Sequence, residues 1–283
     1  MHDATPKDLH GQNRKSWNAV VPAHNSHKRD QARFLREGGN TLFPDELELL
    51  GEVRGKSLLH LQCNCGQDSL SLARLGATVT GVDIADEAIV FAQQLADESG
   101  IEATFIRSDL FDWFDASDQT FDLAFSTYGT IAWLSDLDRW ARGIRKILAP
   151  AGRLILVEFH PIIWSLDADG RLTESYFRPN PIEESDGVRD YVGPGLAPSG
   201  FEVGCEDFEN PEPAHAFQWT LAETVQSLID ANLRIETLRE YPYANGCEVI
   251  DGMQELPGKR FKLPDSIPEV PLMFGLTACR NPE

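Results

Sequence analysis

The sequence predicts an α/β fold: a doubly wound, mostly parallel sheet of seven strands with helices on both faces. Three observations carry this. Short apolar runs alternate with helical patterns through Phe159, the signature of adjacent βαβ crossovers. The stretch Leu58–Asp83, LLHLQCNCGQDSLSLARLGATVTGVD, reads as one complete unit of strand, tight turn, helix and strand. Two more apolar runs, Ile235–Glu240 and Leu272–Cys279, complete the sheet near the end of the chain.

Taken in order, Lys56 to Cys63 is short and apolar enough for a buried parallel strand, bounded by Gly55 before and by Asn64 and Gly66 after. From Asp68 the period changes, and Leu70, Leu72, Ala73 and Leu75 share one side of a helix that Gly76 stops. Thr78 to Val82 is the second strand, closing on Asp83. Ala85 to Gly100 is a helix with Ile89, Phe91, Ala92 and Leu95 along its buried side, and Ala103 to Ile106 is the third strand. Phe121 to Phe125 is the fourth strand, followed by Ser126-Thr127-Tyr128-Gly129. A helix carrying Trp140, Ile144, Ile147 and Leu148 ends at Ala149-Pro150-Ala151-Gly152, and Arg153 to Phe159 is the fifth strand. A capping box, Thr220-Leu221-Ala222-Glu223, opens the next helix, which runs to about Ala231.

Parallel strands of this kind present their carboxyl ends to a ligand crevice, so the turn around Gly66 and the acid Asp83 lie side by side. Asp83 can accept hydrogen bonds from both hydroxyls of a ribose, and amides at the helix start can face a ligand's polar tail. The bland alternative is a solvated strand-end acid. A dinucleotide site wants G-x-G-x-x-G so that a pyrophosphate can approach bare backbone. Here the turn is Gln62-Cys63-Asn64-Cys65-Gly66, with one glycine, which suits a nucleoside with a short amino-acid tail better.

With those residues in view, the chain resembles the class I S-adenosylmethionine-dependent methyltransferases, and most closely a bacterial branch with a His60-Leu61-Gln62-Cys63 type of first motif. That family's first motif usually reads acid-x-Gly-x-Gly-x-Gly, and the corresponding places here hold His60, Gln62, Asn64 and Gly66. Three of the four depart from the pattern. The resemblance implies a Rossmann-like methyltransferase fold and S-adenosyl-L-methionine as cofactor. Its binding residues would be Gln62, Cys63, Asn64, Gly66, Gln67, Asp68, Asp83, Ile84, Asp109, Leu110 and Ser126. Asp109, after the third strand, would hold the adenine amino group, with Leu110 against the ring. The turn at Ala149–Gly152 resembles the family's L-x-P-G-G ending with one glycine replaced.

Two segments lie outside this core. Residues 1–50 form a helical arm, and an arm of this type implies a lid over the cofactor. Residues 161–215, rich in proline, glycine and acids, are an insertion after the fifth strand. A structureless connection of that length is uncommon in a compact domain, so a functional cover with its own short strands is expected. Residues 51–160 then form the cofactor-binding core and 216–283 its C-terminal part, with Pro242–Pro271 walling the acceptor pocket.

The composition bounds the partners. Twenty-five Lys and Arg against 45 Asp and Glu give a net charge of −20 over 283 residues, which argues against a nucleic-acid substrate. The basic stretch Lys28–Arg36 is interleaved with Asp30 and Glu37 and reads as a solvated face. No apolar run approaches the roughly 18 residues of a membrane helix, and no signal peptide is evident. Five scattered cysteines suit a reducing cytoplasm, and Cys63-x-Cys65 lacks a second pair at zinc spacing, so no metal is expected.

Methyl transfer is an in-line displacement, so the protein must chiefly align the reactants and exclude water. A base adds about 10² to 10⁴-fold where the acceptor carries a proton. His160, just past the fifth strand, is the first candidate; a backbone-bonded strand-end histidine fixed by Pro161 is the alternative. Tyr128 could orient the acceptor or contact the methionine tail, or simply pack. Trp17, Trp133 and Trp164 are possible pocket aromatics, and His24 and His27 lie on the arm. The resulting expectation is methyl transfer from S-adenosylmethionine to an enclosed small molecule, through oxygen, nitrogen or sulfur. A non-catalytic sensor or scaffold that binds the same cofactor is the second reading; a nicotinamide oxidoreductase is argued against by the missing G-x-G-x-x-G.

Overall fold

The structure, a computed structural model, describes residues 5–167 and 169–281. The arm contains α1 (Pro6–Ser26), α2 (Gln31–Arg36) and α3 (Pro44–Leu50). The core follows with β1 (Ser57–Leu61), α4 (Gln67–Arg74), β2 (Thr78–Asp83), α5 (Asp86–Ser99), β3 (Thr104–Arg107), α6 (Leu110–Ala116), β4 (Phe121–Thr127), α7 (Leu137–Ile147) and β5 (Leu148–Phe159). The insertion holds β6 (Ile182–Glu184) and β7 (Ala214–Ala216), paired antiparallel. Then come α8 (Leu221–Asp230), β8 (Leu233–Tyr241), β9 (Ala244–Asn245), β10 (Gln254–Leu256), β11 (Arg260–Lys262) and β12 (Met273–Arg280).

Seven strands form one sheet in the order β3-β2-β1-β4-β5-β12-β8. Only β12 runs against its neighbours. Both faces are covered, which is why these strands read as unbroken apolar runs. Successive residues feed opposite cores: Leu123, Phe125, Ile155 and Val157 pack with Leu50 and Leu72 on one side. Ala124, Leu154 and Leu156 pack with Trp140, Ile144 and Leu228 on the other. The alternation follows from the period of two along a strand.

Strand order reverses between β1 and β4, and that switch point opens the crevice into which the strands' carboxyl ends project. The capping box at Thr220 is present, with Glu223 Oε2 accepting from Thr220 N at 2.8 Å. One helix, α6, was not read from sequence. Its N-cap is Asp109, whose Oδ1 accepts from Phe111 N at 2.8 Å and Asp112 N at 3.2 Å. The first strand is shorter than expected because Gln62 and Asn64 adopt positive φ angles of 51° and 47°, which no strand tolerates.

Arm and insertion are tied to each other across the crevice. Asn13 and His215 exchange hydrogen bonds, Asn13 Nδ2 to His215 O at 2.9 Å and His215 N to Asn13 Oδ1 at 2.7 Å. Val188 N donates to Ser16 Oγ at 2.9 Å, and His27 Nε2 lies 2.8 Å from Asp190 Oδ2. A bidentate pair, Arg14 Nε and Nη2 to Asp86 at 2.6 and 2.8 Å, fixes α1 to the start of α5. Beyond the sheet, β9, β10 and β11 make a small antiparallel sheet within the 242–271 excursion.

Candidate functional site

A cavity of about 730 Å³ opens at the carboxyl ends of β1 to β4, covered by the arm and the insertion. That volume lies within the range of about 300–1,000 Å³ typical of small-ligand sites. Gln62, Cys63, Asn64, Gln67, Asp68, Asp83, Ile84, Asp109, Leu110 and Tyr128 all line it. The sequence-predicted residues it does not bring to the wall are Gly66, Ser126 and His160.

Each of the three has a packing reason. Gly66 caps α4 at φ +77°, and a Cβ there would sit 2.7 Å from Phe105 Cζ and 2.8 Å from Ala92 Cβ. It is a glycine because the turn packs against β3 and α5, not because a ligand needs the space. Ser126 is fully buried and bonds Thr130 Oγ1 at 2.8 Å behind the wall. His160 is also buried. Its Nδ1 accepts from Ile162 N at 3.2 Å, and its Nε2 lies 3.1 Å from Glu240 Oε1. With both ring nitrogens engaged away from the cavity, His160 is a strand-end cap, and the expectation of a base there is corrected.

At the β2 end, Asp83 Oδ2 accepts from Asn64 N and Oδ1 from Ala85 N, each at 2.8 Å. These bonds tie the carboxylate to the first turn and leave it lone pairs toward the cavity. Burial raises its pKa, and the amides of Ala85, Asn64 and Ile84 pull it back. At the β3 end, Asp109 is more occupied than expected. One oxygen caps α6, and the other lies 2.6 Å from His10 Nδ1. His10 stacks on Phe111 with ring centroids 5.4 Å apart, and its buried Nε2 has no partner among the described residues. The free polar atom here comes from the arm; nothing in the sequence marks an isolated histidine so far from the strand it serves.

The β1 turn supplies amides rather than glycines. Gln62 Nε2 donates to Thr130 O at 3.0 Å, and its buried Oε1 has no partner among the described residues. His60 beneath it bonds Ser69 Oγ at 2.8 Å, and burial lowers its pKa to about 3, so the ring is neutral.

The turn after β4 carries Tyr128 at φ +39° and Gly129 at φ +72°. It is held by Glu158, 4% exposed, which sequence reasoning passed over. Its Oε2 accepts from Thr130 N at 2.8 Å and Ile131 N at 3.0 Å, and its Oε1 accepts from Gly129 N and from Phe159 N. Tyr128 Oη accepts from Asn245 Nδ2 at 2.8 Å, so the 242–271 excursion fixes the phenol. Glu46 lies beside that phenol on the arm's α3, and Lys28 also lines the cavity, contrary to the reading of its stretch as a solvated face.

Residues 58–152, about a third of the chain, match the methyltransferase domain family. This segment is a methyltransferase domain. The domain spans β1 through the start of β5, the part of the sheet that forms the crevice. Ubiquinone biosynthesis O-methyltransferase of Shewanella pealeana is 41% identical over 58 residues, 20% of this chain and 25% of that protein. Its counterpart in Caulobacter sp. is 30% identical over 148 residues, covering 51% and 54%. The chain thus spans about half or less of the length of these curated relatives. A solved S-adenosylmethionine-dependent methyltransferase from Mesorhizobium loti superposes with a TM-score of 0.52 at 19% identity, over 87% of this chain and all of that one. At that identity the likeness concerns the fold, which is that of the class I methyltransferases.

Proposed function

We propose that this protein transfers a methyl group from S-adenosyl-L-methionine to a small molecule held under the arm and insertion. The observation that carries the reading is the pairing of Asp83 with the turn of the methyltransferase domain, at the switch point of the sheet and on the wall of an enclosed cavity. The residues present fit such a cofactor. Asp83 offers acceptors for a ribose, and Leu110 and Ile84 offer apolar contact for a base. Among the described residues the buried His10 Nε2 and Gln62 Oε1 have no hydrogen-bond partner. A buried polar atom without one is costly, so ligand contacts at both are favoured.

When bound, the cofactor supplies a methyl carbon already activated by its sulfonium, so the protein's own work is placement and exclusion of water. Trp17, Trp133, Phe159 and Phe217 give the cavity an aromatic wall suited to an apolar or aromatic acceptor. Tyr128, fixed by Asn245, orients that acceptor. The relatives' names, which concern ubiquinone biosynthesis, support a small-molecule acceptor. Among the described residues no helix is long and apolar enough to cross a membrane. The reading places the protein in the cytoplasm, supported by five free cysteines, and excludes nucleic acid as substrate, supported by the net charge of −20.

Titration calorimetry with S-adenosylhomocysteine tests this. Losing the Asp83 carboxylate removes two bonds to a charged acceptor at about 1.5 kcal/mol or more each, so Asp83→Ala should bind at least about 100-fold more weakly. Wild-type protein that does not bind would sink the proposal.

A further inference from the structure

Asn245, in β9, is 1% exposed and lines the cavity. Both hydrogens of its side-chain nitrogen are spent: Nδ2 donates to Asp45 Oδ2 at 3.1 Å and to Tyr128 Oη at 2.8 Å. Asp45 is held in turn by Arg260, whose Nη2 donates to Oδ2 at 2.8 Å, and by the Tyr243 hydroxyl, which donates to Oδ1 at 3.0 Å. Tyr128 has Glu46 as its other hydrogen-bond partner. A carboxylate only accepts, so the amide sits one way round, nitrogen toward Asp45 and oxygen away from it. That oxygen, Oδ1, is buried and has no hydrogen-bond partner among the described residues. Such an atom is costly to keep and uncommon in a folded protein.

Its place in the fold sets it apart from the half of the crevice proposed for the cofactor. Asp83 ends β2 and Asp109 follows β3, at one edge of the sheet. Asn245 is bonded instead to the turn after β4, and its backbone N donates to Met273 Sδ, at the start of β12, at 3.3 Å. The wall around it is aromatic. Phe159 and Phe43 pack 5.5 and 6.2 Å from the Tyr128 ring, centroid to centroid, and all three line the cavity. The insertion closes over the same place, where a Cβ on Gly195 would lie 2.1 Å from Gly246 O. An enclosed apolar wall with one unmatched acceptor sorts ligands by a simple rule. A carboxylate, a phosphate or a molecule bearing only carbonyls and ethers sets another acceptor against Oδ1 and leaves it unpaired. A hydroxyl or N–H on a flat apolar body satisfies the oxygen and the rings together.

We propose that Asn245 Oδ1 receives a hydroxyl or N–H of the methyl acceptor, which is accordingly a flat, apolar molecule carrying such a donor. That the molecule is the methyl acceptor rests on the function proposed above; the preference for a donor rests on the amide alone. Asp45 and Arg260 are positioning residues, because they fix which end of the amide faces the ligand. A molecule whose hydroxyl or N–H is already methylated cannot make the contact, so the same oxygen discriminates against it.

The test uses two matched pairs, 2-naphthol with 2-methoxynaphthalene and indole with 1-methylindole. Each is titrated calorimetrically into the protein with and without saturating S-adenosylhomocysteine. Wild type should bind the donor-bearing member of each pair about tenfold or more tightly. Asn245→Leu should bind the two members of a pair within about twofold of each other. Tyr128→Phe, which keeps the amide oxygen, should weaken both members and preserve the ratio. Thermal unfolding reports the folding of each variant, and the wild-type ratio is a test that needs neither. Wild type that binds no donor-bearing member, or binds both members of each pair alike, overturns the assignment; if it still binds S-adenosylhomocysteine, the proposed function stands. A preference that survives in Asn245→Leu and vanishes in Tyr128→Phe moves the contact to the phenol and overturns it too. So does a loss of S-adenosylhomocysteine affinity of about tenfold in Asn245→Leu but not in Tyr128→Phe, which gives the oxygen to the cofactor. Pair preference without any binding of S-adenosylhomocysteine removes the proposed function and supports the donor site.

Discussion

Glu158→Gln is the sharpest probe of how the sheet positions the site. The carboxylate accepts from four backbone donors, Gly129, Thr130, Ile131 and Phe159. Glutamine keeps one oxygen, enough for two of them, and turns an NH₂ group toward the other two. A buried donor stripped of its acceptor costs about 1–3 kcal/mol, so two cost about 2–6 kcal/mol. Relief of burying the charge, the main cause of the raised Glu158 pKa, offsets part of this. A net loss of about 3 kcal/mol is expected, or a fall in Tm of about 6–12 °C at about 2–4 °C per kcal/mol for a chain of this general size. Because the freed turn carries Tyr128 and Gly129 at positive φ, affinity for S-adenosylhomocysteine should fall with it. Urea unfolding gives the stability and calorimetry the affinity. A variant within about 0.5 kcal/mol of wild type, binding as tightly, would refute the clamp, since surface substitutions alone reach that size.

Two further outcomes follow from the same geometry. His160→Ala should leave methyl transfer within about twofold of wild type, because the ring faces Ile162 N and Glu240 outside the cavity; a base would cost about 10² or more. A tenfold loss in initial rate with unchanged folding would restore His160 to the reaction. The second concerns acid stability. His60 has an ordinary pKa of 6.5, lowered to about 3 by burial, so below pH 6.5 the unfolded chain takes up a proton that the folded chain refuses. Stability therefore falls as pH drops from 6.5 toward 3 and is untouched by this group above 6.5. At 1.36 kcal/mol per unit, the two units between 6.5 and 4.5 amount to about 3 kcal/mol, which His60→Gln should spare between pH 7 and 4.5. Parallel stability–pH curves for the two proteins would show that His60 is not the buried neutral ring described.

The core was legible in the sequence because its physics is local. A parallel strand buried on both faces must be a short apolar run, so Leu58–Leu61, Leu123–Phe125 and Leu154–Val157 announce themselves without reference to anything distant. Asp83 was legible for a related reason: a strand's carboxyl end at a switch point has one geometric fate. What could not be read is whatever depends on two segments far apart in the chain. The charge run from Lys28 looked like a solvated face because its neighbours Asp30 and Glu37 are solvated; only the packing of the arm over α4 turns Lys28 inward. Asp109 looked free to hold a base because its partner, His10, lies 99 residues away.

His160 failed in the opposite direction, and the failure shows where function resides in this fold. It sits at the carboxyl end of β5, adjacent in sequence to Glu158 and Phe159, both of which serve the site: one clamps the β4 turn, the other lines the cavity. Alternation along the strand sends Glu158 and His160 to one side and Phe159 to the other. Glu158 reaches back to β4, but His160 lies past the strand's last residue, where Pro161 begins a 3₁₀ turn and Ile162 N needs an acceptor. The same three residues thus divide into a clamp, a wall and a cap. Position at a strand end brings a side chain near the crevice; the hydrogen bonds demanded by the next turn decide whether it is free to act there.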